Sequence, residues 1–349
     1  MNINFPVITG IGSVSPYGPL SGLIPARSLQ PGVITAWNTT ELRRAFLVEP
    51  FRPASVIPGL KTRRLDSLSA WALVASSLAI QDAGIDLGSM DRSRVAVVFA
   101  TGFGCVELTD SFFQSAAVNG WTGTDPITFP ETLTNAPAAH VALFHGLRGA
   151  NLTVNSKTFA AESALIQAAS LIRHGQADLA IVIAGDTLTQ SVYGWYEAAG
   201  LLSPACYNSE PLPEAAGFVP SEGVAALVLE PAGKHGARTY AHLRSGRWAT
   251  GGEPAETIRK MLDGTVPNLI IGAGNGAPCA ISPLTNLAHD ISGPDASIIS
   301  PKTVAAGLAE SGALLHLILA LSTRPISGQA LLLATSGQSG FAAVHLELP

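Results

Sequence analysis

Charge is scarce in this sequence. Only 13% of its 349 residues are aspartate, glutamate, lysine or arginine, whereas 47% are hydrophobic. The net charge is −5 and no stretch concentrates lysine and arginine, which argues against a nucleic-acid-binding surface. A composition so apolar predicts a large globular core, and it favours a surface of which another protein chain covers a large part.

Long apolar runs and cysteine motifs are also missing. No apolar run reaches the length of about 18 residues that a membrane span needs, and the opening residues lack the pattern of a signal peptide. We therefore expect no membrane span and a cytoplasmic location. Cys105, Cys206 and Cys279 lie far apart and form neither a metal motif nor a disulfide framework. Gly102 and Gly104 lack the further glycine of a dinucleotide site, so we predict no cofactor.

The most informative stretch runs from Gly149 to Gly175. An apolar strand at Leu152–Val154 leads through a polar turn into a helix of about four turns. This helix is small and apolar on nearly every face, so we expect it to be buried among close neighbours. Its N-terminus would suit a nucleophile or an oxyanion. The residue at the turn, however, is the threonine Thr158.

Strand and helix patterns alternate through the rest of the chain. The sequence predicts strands at 6–13, 94–101, 177–184, 225–230, 239–247, 268–271, 297–300, 329–334 and 342–348, and helices at 63–84, 106–117, 136–144, 253–262 and 303–321. Each half contains a strand, a turn and a buried helix of small residues, at 151–173 and again at 297–321. This repetition predicts a duplicated α/β fold, a five-layered α/β/α/β/α sandwich divided into residues 1–237 and 238–349.

Several motifs resemble those of the β-ketoacyl synthase family of the thiolase superfamily. They are PVITGIGSVSPYG at 6–18, ATGFG at 100–104, GLRGANLTV at 146–154, LIRHGQADLAIVIAG at 171–185 and GFVPSEGVAALVLE at 217–230. The resemblance is dense from 5 to 247 and thinner beyond. It implies the thiolase fold, and it implies that a helix and surface loops are trimmed around 248–296.

The resemblance fails at the positions that carry ketosynthase chemistry. Active members use a cysteine thiolate and two histidines, and here Thr158 stands in the cysteine position. Gly274 stands where the first histidine is expected, and Gly307 or, depending on a small gap, Leu308 where the second is, while Lys302 of the second motif is kept. A hydroxyl ionises at too high a pH for a helix dipole to activate it. We therefore predict no catalytic residue and no metal.

A ketosynthase-like chain without this chemistry resembles the chain-length factor of type II polyketide or aryl polyene synthases. That resemblance implies a heterodimer with an active ketosynthase, contact with an acyl carrier protein through the complex, and a tunnel for the growing acyl chain. By position it places Leu152, Thr153, Val154 and Asn155 at the subunit interface. It assigns the tunnel lining to Val106, Thr109, Phe113, Ile127 and Thr128.

Other interpretations remain open. The chain could be a thiolase-fold acyltransferase or a malonyl decarboxylase with a non-cysteine nucleophile, or a homodimer that only holds acyl chains. Taken alone, Thr158 is interpreted as an inert core or helix-cap residue. His316 is interpreted as a hydrogen-bonded core histidine and Lys302 as a buried ion-pair partner, for which the family resemblance implies Glu222 as the companion. Cys279 is not expected at a helix N-terminus.

Overall fold

The computed structural model describes residues 5–25, 29, 31–35, 37, 42–207, 218–233, 238–273, 278–299, 312–323, 327–336 and 340–349. Within them the strands are β1 Pro6–Ser15, β2 Gly18–Ser21, β3 Gly32–Val33, β4 Arg44–Ala45, β5 Val95–Thr101, β6 Asn151–Asn155, β7 Leu179–Asp186, β8 Gly223–Pro231, β9 Ala241–Thr250, β10 Leu269–Gly272, β11 Ser297–Ile299, β12 Gly328–Ser336 and β13 Gly340–Leu348. The α-helices are α1 Pro53–Val56, α2 Ser67–Ala83, α3 Val106–Asn119, α4 Ala136–His145, α5 Ala160–Arg173, α6 Gln190–Ala198, α7 Pro254–Leu262, α8 Pro278–Ser292 and α9 Ala313–Thr323.

The strands repeat one arrangement twice. In the first half the order is β1-β8-β7-β5-β6, and in the second half it is β9-β13-β12-β10-β11. In both halves the first two junctions are antiparallel and the last two are parallel. The two halves join edge to edge where β1 pairs with β9 over two residue pairs, Val7 with His242 and Ile8 with Ala241. The predicted duplication is therefore confirmed, although no boundary at residue 237 follows from it.

Alternate residues of each strand belong to different parts of the core. In β5, Val98 packs in a cluster with α5, α9 and the second half, whereas Val97 packs in a cluster with α2 and α4. In β12, Leu332 faces the central cluster and Leu331 packs with α7 and α8. Side chains that alternate across a strand in this way place helices on both faces of each half-sheet. The order of layers is α2/α4, first half-sheet, α5/α9, second half-sheet, α7/α8, which confirms the five-layered sandwich.

The helix ends are set by local capping interactions more than by the spacing of hydrophobic residues. Helix α2 begins at Ser67, four residues after the predicted start, because the carboxylate of Asp66 accepts the Leu68 N–H at 2.9 Å as an N-cap. It ends as predicted at Gly84, whose φ is +66°. Helix α8 was not predicted, since Pro278 and Pro283 interrupt its sequence. No helix of the described segments is long and apolar enough to cross a membrane.

The core histidine prediction was half right. His316 on α9 is buried, and its ring interacts with the backbone of Gly272, although no hydrogen bond of normal geometry reaches either ring nitrogen among the described groups. Burial lowers the pKa of His316 to about 4, and the backbone of Gly272 opposes this only in part. His316 is therefore a neutral, buried imidazole at neutral pH.

Strand β1 and helix α2 approach each other closely because the glycines of β1 carry no side chain. A methyl group at Gly12 would lie 2.2 Å from the carbonyl oxygen of Ala75 and 2.5 Å from the amide nitrogen of Ala79. Both are backbone atoms of α2, so neither can move aside without shifting the helix. Helix α2 can therefore pack this closely on the sheet only because the TGIG segment of β1 has glycine at the contact positions.

We predict that Gly12→Ala lowers the free energy of unfolding by about 3 kcal/mol, because it overpacks a backbone contact. The matched control is Gly194→Ala within α6, where an added methyl group meets nothing within 4 Å. That change should leave stability equal or raise it by up to about 1 kcal/mol, since alanine favours a helix. Chemical unfolding of both variants measures the two effects, and a stable Gly12→Ala protein would contradict the packing argument.

Candidate functional site

The turn between β6 and α5 bends sharply at Phe159. This residue has φ +60° and ψ +20°, a left-handed conformation that is unusual for a bulky side chain. Its ring is buried, and its strained backbone starts the helix. Thr158, immediately before it, is exposed and is not the cap of α5. The interpretation of Thr158 as a core or helix-cap residue was therefore wrong, because Phe159 takes the place at which the chain turns inward.

Thr158 has no activating partner in the described part of the chain. Its backbone contacts Ser156, whose hydroxyl donates to the Thr158 carbonyl at 2.6 Å and accepts from the Thr158 N–H at 3.4 Å. No described base forms a hydrogen bond with the Thr158 hydroxyl, and a hydroxyl needs such a base to become a nucleophile. Among the described residues, the elbow thus presents an exposed hydroxyl whose neighbouring contacts are made by the backbone of Thr158.

The neighbouring lysine faces an aromatic ring. The Lys157 ammonium lies 3.3 Å from the centroid of the Phe103 ring, which is a close cation–π contact. Phe103 belongs to the glycine turn after β5, so this contact joins the elbow to that turn. A lysine held over a ring is positioned as a structural bridge between two loops.

A buried aspartate organises the turn after β5. Asp186 ends β7, and its carboxylate accepts hydrogen bonds from the Thr101 hydroxyl at 2.5 Å and from the Phe103 N–H at 2.9 Å. It also accepts the Gly102 N–H at 3.1 Å. Several donors to one buried carboxylate fix the turn rigidly. Sequence reasoning missed Asp186, although an acidic residue directly after an apolar strand was a usable signal.

A second carboxyl group lies inside the central layer. Glu162 is in the first turn of α5 and is only 2% exposed. Burial raises the pKa of the Glu162 carboxyl to about 7, and a hydrogen bond from its own backbone N–H opposes this only in part. Sequence reasoning missed this group as well, since its apolar neighbours gave no sign that it would point inward.

The predicted tunnel residues of α3 share one face of the helix. Val106, Thr109 and Phe113 are spaced by three and four residues, which places them in line. Val106 packs against the aromatic cluster that contains Phe103. The hydroxyl of Thr109 donates to the Cys105 carbonyl at 2.7 Å, so it is turned toward its own helix.

The other two predicted tunnel residues lie in the loop after α3. Ile127 is 60% exposed, whereas Thr128 is half-buried and its hydroxyl donates to the Asp125 carboxylate at 3.2 Å. A tunnel role for these five residues is not tested by one chain alone and stays a prediction.

Helix α3 and the loop after it carry an exposed aromatic surface. Phe113 is 55% exposed and its ring lies 6.2 Å from that of Trp121, while Phe112 contacts both Phe113 and Phe129 at 5.8 Å between ring centroids. We call the exposed set the α3 aromatic surface: Phe113, Trp121, Ile127, Phe129 and Leu133. Exposed large apolar side chains gathered in one region are typical of a binding site.

Strand β6 is the edge of the first half-sheet. Within the described chain it pairs only with β5. Val97 N–H donates to Ala150 C=O and Ser156 N–H donates to Thr101 C=O, so the backbone groups of Leu152 and Val154 also face β5. Those of Asn151, Thr153 and Asn155 then face away from β5. The four predicted interface residues thus lie on an edge that presents free backbone donors and acceptors.

Some predicted positions cannot be placed. Gly274, Lys302 and Gly307 lie outside the described residues, so the predicted loss of both histidines and the pairing of Lys302 with Glu222 stay predictions. Cys279 is the second residue of α8, so the expectation that it would lie on no helix N-terminus was wrong. The described cysteines Cys105 and Cys206 are buried, and burial raises the pKa of both thiols, which makes them poor nucleophiles.

Comparison with known proteins agrees with the resemblance seen in the motifs. The family model described as the N-terminal domain of β-ketoacyl synthases matches residues 28–235. A 3-oxoacyl-[acyl-carrier-protein] synthase 2 of Vibrio cholerae is 25% identical over 93% of this chain and 82% of its own length. Several other synthases of this kind match over only 50% to 61% of their own length.

Solved structures share the fold over the whole chain. The ishigamide ketosynthase/chain length factor has a TM-score of 0.85 at 18% identity and covers 99% of both chains. A type II polyketide synthase complex, described as an acyl-carrier protein with its ketosynthase bound to the hexaketide, has a TM-score of 0.81 at 18% identity and covers 100% of both chains. At this identity the likeness shows the fold.

We predict that Glu162→Gln changes how stability depends on pH. The folded pKa of about 7 lies above the usual 4.5, so folding takes up a proton between these values. The stability that Glu162 contributes is complete below about pH 4.5 and is lost as the pH rises through 7. The difference in unfolding free energy between wild type and variant should therefore shift by about 3 kcal/mol, against the wild type, from pH 4.5 to pH 8.

Urea unfolding at several pH values measures this difference. The matched control is Glu253→Gln, which changes an exposed carboxylate and should leave the pH profile parallel to that of the wild type. If the unfolding free energy of Glu162→Gln followed the same pH dependence as that of the wild type, the folded chain would stabilise the ionised Glu162 carboxylate, and the prediction would be wrong.

Proposed function

We propose that this chain, which belongs to the β-ketoacyl synthase family, is a chain-length-factor-like subunit that does not itself condense acyl chains. It would form a heterodimer with an active ketosynthase in the cytoplasm and shape the tunnel that holds the growing polyketide or polyene chain. An acyl carrier protein would reach the complex through the ketosynthase partner. No cofactor or metal enters the proposal.

The elbow carries this proposal. The family scaffold is present, with its strand, sharp turn and buried helix, but the position before the left-handed Phe159 holds an exposed Thr158 without a described base. A threonine in this setting cannot take an acyl group from a thioester at a useful rate. The strand, turn and helix of the elbow are all present although the cysteine is not. This combination supports a role in which the chain contributes its fold to a complex.

Two features support a partner subunit. The β6 edge offers the outward backbone groups of Asn151, Thr153 and Asn155 to a second strand. The α3 aromatic surface exposes large apolar side chains, with Trp121 69% exposed. A free edge and an apolar surface on one chain are the two elements from which stable subunit interfaces are built.

We predict a one-to-one heterodimer when the chain is co-expressed with a ketosynthase encoded nearby, and product formation that depends on the partner's cysteine. Native mass spectrometry gives the stoichiometry, and turnover of malonyl thioester gives the activity. Thr153→Pro should weaken the heterodimer at least about tenfold, because proline removes the N–H that faces the free edge and leaves the pairing of β6 with β5 intact.

The matched control is Thr153→Val, which keeps the backbone N–H and should preserve the heterodimer. Circular dichroism of both variants checks that the fold is retained. Normal assembly of Thr153→Pro would exclude β6 from the interface. A homodimer that turns over malonyl thioester alone, or becomes acylated at Thr158, Lys302 or Cys279, would instead establish the acyltransferase or decarboxylase alternative.

We also predict that Phe113→Ala lengthens the product of the assembled complex. Removing the ring takes bulk from the face of α3 that also carries Val106 and Thr109. The control is Val118→Ala, which removes an exposed side chain about 140° further around the same helix and should leave the product unchanged. Mass spectrometry of the products compares the two. An unchanged product from Phe113→Ala, or an equal shift from Val118→Ala, would remove the basis for the tunnel assignment.

A further inference from the structure

A cavity of about 390 Å³ lies beside the start of β8. The described residues that line it are Pro16, Leu29, 32–35 and 46–50, and they include the apolar side chains of Leu29, Val33, Ile34, Phe46 and Leu47. Glu222 also lines it. Thr35 and Glu49 are polar residues of the same lining. The volume suits a small organic molecule, and sites for such molecules combine apolar side chains with a few fixed polar groups.

The carboxylate of Glu222 is held in one orientation. One oxygen accepts the Val48 N–H at 3.0 Å, and the other accepts the Leu188 N–H at 3.1 Å. The backbone of Glu222 also donates to the Phe46 carbonyl at 3.1 Å, which ties the residue to the cavity wall. Each carboxylate oxygen can accept a further hydrogen bond, so a donor in the cavity would find a prepared partner.

The charge of Glu222 is not balanced within the described residues. The side chain is 9% exposed, and no described lysine, arginine or histidine lies within ion-pair distance of it. The charged side chain that acts on it is Glu107, which has the same sign, and Glu49 adds a second carboxylate at the cavity. Burial raises the pKa of Glu222 to about 7. A buried carboxylate beside an apolar cavity favours a cation at that point.

We propose that this cavity binds a small organic cation, a protonated primary amine that carries an aliphatic chain. The ammonium group would donate to the free positions of the Glu222 carboxylate. The chain would lie along Leu29, Val33 and Leu47. This site does not depend on the proposed subunit role, because none of its lining residues belongs to the elbow, to β6 or to α3.

The test compares n-hexylammonium chloride with 1-hexanol, which has the same aliphatic chain without the charge. Calorimetry on the full chain gives the two affinities, and the amide NMR signals of Val48 and Leu188 report on the two N–H groups that hold Glu222. We expect hexylammonium to bind at least about tenfold more tightly than hexanol at pH 8, and to lose that advantage near pH 6 as the Glu222 carboxyl takes up a proton.

Two variants locate the binding. Glu222→Gln keeps the shape of the side chain and should make the two probes bind equally. Val33→Trp, which adds bulk from an exposed wall residue without touching the carboxylate contacts, should abolish binding of both. Glu49→Gln is the control, because it removes a cavity carboxylate for which the described residues show no hydrogen bond. It should lower the affinity for hexylammonium by less than Glu222→Gln does.

Three results would overturn the proposal. Equal affinity of the two probes for the wild type would mean that Glu222 does not select a cation. Binding that survives Val33→Trp would place the probe elsewhere. Binding of hexylammonium only after Lys302→Met would mean that the chain's own lysine already occupies the position beside Glu222, as the family resemblance implies.

Discussion

The structure depends on a central layer in which two helices are packed between two half-sheets. Both faces of α5 and α9 must fit against strands, so the residues there are small or aliphatic: Ala160, Ala161, Ala164, Ala168 and Leu165 on one helix, and Leu314, Leu317, Ile318 and Ala320 on the other. Such close packing tolerates neither added bulk nor a displaced backbone. The N-terminus of α5 is consequently fixed in place by the core, whatever residue stands in front of it.

This constraint explains why the shape of the elbow does not depend on which side chain stands at residue 158. The position of Thr158 follows from β6, from the left-handed Phe159 and from the buried helix behind them, and none of these needs a thiol. Buried carboxylates add further rigidity: Asp186 holds the turn after β5, and Asp66 caps α2 and also accepts the Leu108 N–H of α3. Each accepts backbone N–H groups that would otherwise be buried without a partner. The scaffold around the elbow is therefore held by groups other than the side chain of residue 158.

The fold could be read from the sequence because its signals are local and repeated. The alternation of strands and small-residue helices in both halves predicted the duplication, and Gly84 marked the end of α2. The long-range consequences could not be read. Glu162 and His316 are inside because they lie on the parts of α5 and α9 that pack between the two half-sheets, and the sequence does not show which polar residues will occupy those buried positions. Helix α8 was missed because tertiary packing overrides the local effect of Pro283.

For the candidate site, too, local features could be predicted from the sequence and long-range ones could not. Motif spacing identified the residue at the elbow, since spacing is a property of the chain, but it gave the wrong environment for Thr158. Exposure there results from the left-handed turn at Phe159, which buries one side chain and turns its neighbour outward. The described chain thus exposes the elbow residue Thr158, the outer edge of β6 and the aromatic side chains of α3, all of which a folded chain ordinarily covers. These exposed groups are the physical basis on which the proposal of a second subunit rests.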